Sequence, residues 1–339
     1  MTRLSEGSAE PLVTRYDTAL VDLDGVVYIG PEVVPGAAES LARARTVGMR
    51  VAFVTNNAAR TPEAVAKHLT DLGVTAEPDD VVTSAQAAAR LVAERVPPGS
   101  PVLVVGGEGL RAALDERGLR PVQSADDDPA AVVQGFAPEV GWVMLTEGAI
   151  AVRRGLPWVA SNLDKTIPTA RGLAPGNGAL VGVISAATGA KPVVAGKPEL
   201  ALQQEAVRRT GARRPLVVGD RLDTDIEGAN RAGDDSLLVL TGVTSPLELV
   251  CAAAPLRPSY ISEDLENGLF VPHPPVQEAD GAWTCRGWTA RGDGAVWRVE
   301  GTGPRIDALR ALCVGVWAQG EGGAEAARVA AALDSLPDR

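Results

Sequence analysis

The chain has 339 residues, 45% hydrophobic and 22% charged, which fits about two globular domains and argues against disorder over most of its length. Acidic residues outnumber basic ones 43 to 32, for a formal charge of -11, so a nucleic-acid partner that needs a broad basic face is not expected. Three cysteines (Cys251, Cys285, Cys313) without paired spacing suggest neither a disulfide framework nor a zinc site. Residues 1–17 lack a signal-peptide core, and no apolar run approaches the roughly 20 residues that span a bilayer. No membrane partner is expected, and a cytoplasmic location follows by default.

In chain order, Thr18 to Leu23 (TALVDL) reads as a short buried strand that ends in Asp22-Leu23-Asp24-Gly25. A helix follows from Pro35 to Val47, with Pro at its start and Gly48 just past its end. Arg50 to Thr55 (RVAFVT) is a second buried strand, and Thr61 to Leu72 a second helix, closed by Gly73. The alternation continues through strands at Pro101–Val105, Ala131–Gln134 and Pro157–Ala160, with helices at 108–117 and 179–188. Strands at Pro215–Gly219 and Ser236–Leu240 then flank a helix over Thr224–Ala232. Strand and helix in turn predict a parallel sheet covered by helices. Past Val271, Pro272, Pro274 and Pro275 mark a linker. The remainder shows a hairpin turning at Gly292-Asp293-Gly294 and two helical stretches, and it holds four of the six tryptophans, Trp283, Trp288, Trp297 and Trp317. A small core of its own is expected there, and because about 55 residues make only a marginal core it is expected to dock on the rest of the chain or on a second subunit.

The motif with the most chemistry is Asp22-Leu23-Asp24-Gly25. Carboxylates two apart on an extended strand point the same way and repel, so something must compensate, usually a cation. Ligands of parallel sheets bind at the carboxyl ends of strands. Thr55-Asn56-Asn57 and Gly219-Asp220 close two others, Asp223 and Asp225 come next, and Lys197 sits in Gly-Lys-Pro before a helix. Each motif alone has a plainer reading as turn, helix cap or solvated lysine. Their joint order does not.

DLDGVVY, TNN, GKP and GDRLDTDI together resemble the haloacid dehalogenase-like superfamily of phosphatases, over about Thr18 to Tyr260. The resemblance implies an α/β fold: a Rossmann-like parallel-sheet core with an inserted α/β cap domain and a small C-terminal α+β extension. It implies Mg²⁺ as cofactor and a small-molecule phosphate ester as substrate. Asp22 would be the nucleophile, and Asp24 the acid that protonates the leaving oxygen. Thr55 would hold a phosphoryl oxygen, and Lys197 would offset the charge of Asp22 and phosphate. Asp22, Asp220 and the carbonyl of Asp24 would bind the metal, with Asp225 in support. Backbone N–H groups of Leu23, Asn56 and Asn57 would bind phosphate. These roles agree with elementary chemistry, since an aspartate of ordinary pKa (about 3.9) is already ionised at neutral pH and needs charge relief rather than a base. Asp24 must instead keep a proton, for which partial burial and its charged neighbour are the expected means.

Only 31 positions separate Asp24 from Thr55, but 142 separate Thr55 from Lys197, room for a cap of roughly 100 residues. That placement resembles the NagD-like and p-nitrophenyl phosphatase branch. The expected division is a core of 1–83 and 186–272, a cap of 84–185 and an extension of 273–339. Within the cap, Gly107-Glu108-Gly109-Leu110-Arg111-Ala112 matches the dinucleotide-binding fingerprint, with Asp126 at a distance suited to a ribose contact. It reads more simply as a tight strand-to-helix turn. Asn162 and Asp164 (SNLD) face substrate or make a capping turn, and the sequence leaves both open. VVTSAQAAA, IPTARGLAPGNG and PLVVGDRLDTDIEGAN resemble the actinobacterial glycerol-3-phosphate phosphatases, which carry a C-terminal extension of acetyltransferase-like fold. Glycerol 3-phosphate is the expected substrate. Phosphoglycolate, pyridoxal phosphate and nucleoside monophosphates are the alternatives, and an inactive scaffold with a partner-binding tail is the rival from another class. A homo-oligomer stays open.

Overall fold

Strands covered on both faces are built from near-continuous apolar runs, and TALV and PLVVG are such runs here. The structure, a computed structural model, describes residues 3–169, 171–294, 296–320 and 326–336. The chain divides into two units, Met1–Val51 with Ala212–Arg339, and Ala52–Gly211.

In the first unit, four strands run parallel in the order Tyr260–Ser262, Asp235–Val239, Pro215–Gly219, Thr18–Val21. The register sets Val21 beside Val218, and the Asp22 N–H donates to the Val218 carbonyl at 2.8 Å. Asp22 and Gly219-Asp220 therefore leave neighbouring strands at the same carboxyl edge. The helix expected over Thr224–Ala232 opens instead as a π-helical turn, Leu222–Ile226, continued by the helix Glu227–Ala232. That wider turn brings Asp225 back toward Gly219, and such turns recur at functional sites.

The tail completes this unit. Gln277–Ala279, Ala282–Cys285, Trp288–Gly292 and Trp297–Gly301 form an antiparallel sheet in sequence order. The helix Arg305–Ala318 crosses it, and Gly315 lets it come close: a Cβ there would stand 2.8 Å from the Trp297 ring. Trp283, Trp288, Trp297 and Trp317 are all buried. The core they form is not closed on itself, and the tail docks on the preceding chain, as its marginal size leads one to expect. That core is continuous with Leu222, Ile226, Leu238, Leu249 and Ile261. A tail of this size is too small to close a stable core alone, so it borrows one. A buried polar pin reinforces the join. Arg310 donates to the Ile261 carbonyl (2.8 Å) and pairs with Asp307 and His273 Nδ1, while His273 Nε2 donates to the Gly268 carbonyl (2.8 Å).

The second unit holds a five-stranded parallel sheet in the order Val193–Val194, Trp158–Ala160, Ala131–Gln134, Pro101–Val105, Arg120–Val122. Separately from that sheet, residues 52–55 of the strand Arg50–Thr55 lie in this unit, and Phe53 to Thr55 pair in parallel with Val81–Thr83. Helices Ser84–Ala93 and Trp142–Arg153 and the hairpin Thr166–Thr169/Gly172–Pro175 add to the expected elements. The helix Leu200–Thr210, which follows Lys197, is fixed by the fully buried Glu205. Its carboxylate takes ion pairs from Arg90 (3.2 Å), Arg117 (2.7 Å), Arg208 and Arg209 (both 2.6 Å). Among the described residues no helix is long and apolar enough to cross a membrane.

Candidate active site

The first unit carries a cluster of carboxylates. Asp22, Asp220 and Asp225 each offer an oxygen, and the three lie within 4.8 Å of one another. Asp220 and Asp225 are buried, at 0% and 1% exposure. Buried like charges are costly without compensation. Backbone dipoles supply part of it: Val243 N–H donates to Asp220 Oδ2 (2.7 Å) and Arg221 N–H to Asp225 Oδ2 (3.2 Å). A cation with a preference for oxygen would supply the rest, and an all-carboxylate donor set suits magnesium rather than zinc. Asp225, expected in a supporting place, is thus a full member of the cluster. Asp223 is not; it pairs with Arg221 at the surface.

Glycines make this crowding sterically feasible. A Cβ on Gly25 would lie 2.3 Å from Asp220 Oδ2, and one on Gly242 only 2.0 Å from the same atom. A Cβ on Gly219 would strike the Asp225 carboxyl at 2.3 Å. Gly25 also has φ +81, a left-handed value that suits glycine. It turns the chain so that Gly25 N–H meets the Tyr28 carbonyl at 2.8 Å, and Thr241 Oγ1 closes on the Gly25 carbonyl at 2.6 Å. Asp24 is exposed, where partial burial was expected, while Asp22 is half-buried and Leu23 buried.

The second unit carries Thr55, Asn56, Asn57, Asn162, Asp164 and Lys197. Thr55 is buried, and its Oγ1 accepts from Asn57 N–H at 3.1 Å, which leaves the hydroxyl proton to be donated. Asn57 spends its side chain on its own turn, with Oδ1 accepting from Ala59 N–H (2.9 Å) and Arg60 N–H (3.2 Å). Lys197 is buried, and Nζ donates to the Val54 carbonyl at 3.0 Å. Asn162 is buried too. Its Nδ2 donates to the Asn56 carbonyl (2.7 Å), and its Oδ1 accepts from Asp164 N–H (3.1 Å). These bonds make a side-chain-to-backbone turn at SNLD. Asn56 Nδ2 reaches the Asp164 carboxylate at 3.3 and 3.4 Å.

The fingerprint at Gly107 to Ala112 is a strand-to-helix turn filled by the chain itself. Gly109 N–H donates to the Ala59 carbonyl (3.2 Å), and a Cβ at Gly109 would sit 2.5 Å from the Ala58 carbonyl oxygen. The backbone that would cradle a pyrophosphate is taken by residues 58–60. Asp126 is exposed and paired with Arg154.

Comparison with known proteins agrees with this geometry. Models of the haloacid dehalogenase-like hydrolases match residues 19–120 and 194–267. The D-glycerol 3-phosphate phosphatase of Mycobacterium tuberculosis is 52% identical over 256 residues, covering 76% of this chain and 72% of that protein. The chain belongs to the haloacid dehalogenase-like hydrolases. A crystal structure of glycerol phosphate phosphatase Rv1692 from Mycobacterium tuberculosis in complex with magnesium superposes with TM-score 0.85 at 46% identity, covering 91% of this chain and 92% of that one. A thermostable NPPase from Geobacillus stearothermophilus gives TM-score 0.68 at 35% identity, over 74% of this chain and 97% of that one. A model of a GCN5-related N-acetyltransferase-like domain matches 285–336, within the tail of this hydrolase.

Three local features escaped sequence reasoning, one in the first unit and two in the second. The loop Thr241-Gly242-Val243 wraps Asp220, and its signal was its place at the carboxyl end of a parallel strand. Ser84 donates to the Asn56 carbonyl at 2.6 Å. Gly196, where a Cβ would stand 2.5 Å from both Asn56 Oδ1 and the Ser161 carbonyl oxygen, admits a close backbone approach.

Proposed function

We propose that this hydrolase cleaves small phosphate monoesters through a phosphorylated Asp22, with glycerol 3-phosphate as its principal substrate. The observation that carries the reading is the cluster of Asp22 and Asp220 at the strand ends with Asp225 from the π-helical turn. Beside it stands the 52% identity with a relative named for glycerol 3-phosphate.

In this reading an Asp22 carboxylate oxygen attacks phosphorus and the bond from phosphorus to the alcohol oxygen breaks. Asp24 gives its proton to that leaving oxygen. As a carboxylate it then takes a proton from water, whose oxygen attacks phosphorus and releases Asp22 and inorganic phosphate. Thr55 donates its hydroxyl proton to a phosphoryl oxygen, joined by the N–H groups of Leu23 and Asn56, and Lys197 offsets negative charge. Asp22, Asp220 and the carbonyl of Asp24 would hold magnesium, with Asp225 beside them. The ion, when bound, lowers the repulsion between carboxylates and phosphate and fixes their orientation. The cap, read as 84–185 between core segments 1–83 and 186–272, excludes water and selects the alcohol. Three unpaired cysteines suit a reducing compartment, in keeping with a cytoplasmic role.

The test is released phosphate across a panel with saturating Mg²⁺. Glycerol 3-phosphate should show the highest specificity constant. A value a hundredfold below that for phosphoglycolate, pyridoxal phosphate or a nucleoside monophosphate would overturn the substrate assignment and leave the chemistry standing.

A further inference from the structure

Lys197 is held at both ends by residues that flank Thr55. Its Nζ donates to the carbonyl of Val54, and its backbone is gripped by the side chain of Asn56. The grip has two points: Asn56 Oδ1 accepts from Lys197 N–H at 2.8 Å, and Nδ2 donates to the Lys197 carbonyl at 3.2 Å. This is an amide pairing with an amide, as one strand pairs with another, made by a side chain. Gly196 makes it sterically feasible, because any Cβ there would run into Asn56 Oδ1 at 2.5 Å. Asn56 is itself anchored. Its carbonyl accepts from Ser84 Oγ (2.6 Å) and Asn162 Nδ2 (2.7 Å), and Asn162 is held in turn by Asn177 Nδ2 on its own carbonyl (2.7 Å).

A lysine ammonium sits on a flexible four-carbon stem, so where its charge stands depends on where its backbone is fixed. We infer that Asn56 is a positioning residue for Lys197: its side-chain amide, rather than binding substrate, sets the backbone from which the lysine reaches the phosphoryl group. Asn162 and Ser84 hold Asn56 in turn. This rests on the reading of Lys197 as the charge-offsetting group given above. It assigns Asn56 a part that phosphate binding through its N–H does not describe.

The experiment is a double-mutant cycle on the full chain with glycerol 3-phosphate, with melting temperatures measured alongside. Asn56→Ala should lower kcat by roughly a hundredfold, the scale of a displacement near 1 Å, with little change in KM. In a Lys197→Ala background the same substitution should cost less than about threefold, because the group it positions is gone. A second variant, Asn56→Asp, keeps the shape and the acceptor but sets a carboxylate oxygen against the Lys197 carbonyl and Asp164. Its activity relative to the unaltered protein should rise as pH falls and the introduced carboxyl gains a proton to donate. Additive losses in the cycle, a rise in KM alone, or an Asn56→Asp profile parallel to the unaltered one would overturn the assignment. If Lys197→Ala alone left kcat unchanged, the reading of Lys197 would fail first, and the two failures are told apart.

Discussion

Gly242→Ala tests whether the Asp220 cradle sets activity. The added Cβ would lie 2.0 Å from Asp220 Oδ2, where ordinary contact begins at 3.4 Å, so carboxylate or loop must give way by about 1.4 Å. The same oxygen accepts from Val243 N–H at 2.7 Å, so a shift of either partner loosens that bond as well. A misplacement near 1 Å in a catalytic group costs roughly 100-fold, and kcat/KM for glycerol 3-phosphate should fall by at least that. The Mg²⁺ concentration for half-maximal activity should rise, since Asp220 is one of the carboxylates assigned to the ion. Gly242 lies outside the left-handed region and is exposed, so the fold should survive with a small change in melting temperature. Steady-state kinetics across a Mg²⁺ titration, with a thermal melt, measures all three. Activity within threefold of the unaltered protein and an unmoved Mg²⁺ curve would refute the reasoning.

Asp24→Asn should slow hydrolysis of alkyl phosphates far more than that of p-nitrophenyl phosphate, whose leaving group departs without a proton; equal losses on both would remove Asp24 from the acid role. The His273 pin predicts an acid-sensitive tail. Burial, opposed by the bond to the Gly268 carbonyl and aided by the charges of Arg310 and Arg286, pushes His273 down from 6.5 to about 4. Below pH 6.5 the unfolded chain therefore binds the proton first. Stability should fall as pH drops toward 4 and level off there, by up to about 3 kcal/mol. A His273→Gln variant, which cannot titrate, should show a shallower fall in melting temperature over that window, and parallel curves would count against it. Truncation after Pro274 should lower thermal stability sharply, because it strips the tryptophans from a core shared with Leu238, Leu249 and Ile261; an unchanged melt would show the tail to be dispensable.

Much of this was legible because the informative residues are strand ends. Apolar runs fix where buried strands stop, and at Asp22, Thr55 and Asp220 the chemistry begins one step later or on the last residue. Elements were missed where periodicity fails. Ser84–Ala93 is rich in alanine and buried almost throughout, and Thr83 and Gln86 form a capping box that could have announced it. Trp142–Arg153 places Trp142 and Val143 on its exposed side, which breaks the pattern a helix is read from. The exposure of Asp24 is a matter of folded geometry that a DxDG spacing does not specify. Asn56 was legible as part of a phosphate loop. Its grip on Lys197 joins residues 141 positions apart and appears only in the fold.

The central claim is a phosphoryl group on Asp22, and rapid-quench mass spectrometry tests it most directly. The protein, mixed with Mg²⁺ and excess glycerol 3-phosphate and quenched in acid within the first turnover, should carry one phosphoryl group on the peptide that contains Asp22. With p-nitrophenyl phosphate, whose leaving group needs no proton, an Asp24→Asn variant slow to activate water should accumulate more of it, and Asp22→Asn should carry none with either substrate. Phosphate release at full rate from a folded Asp22→Asn protein, or a phosphoryl group on any other residue, would contradict the account.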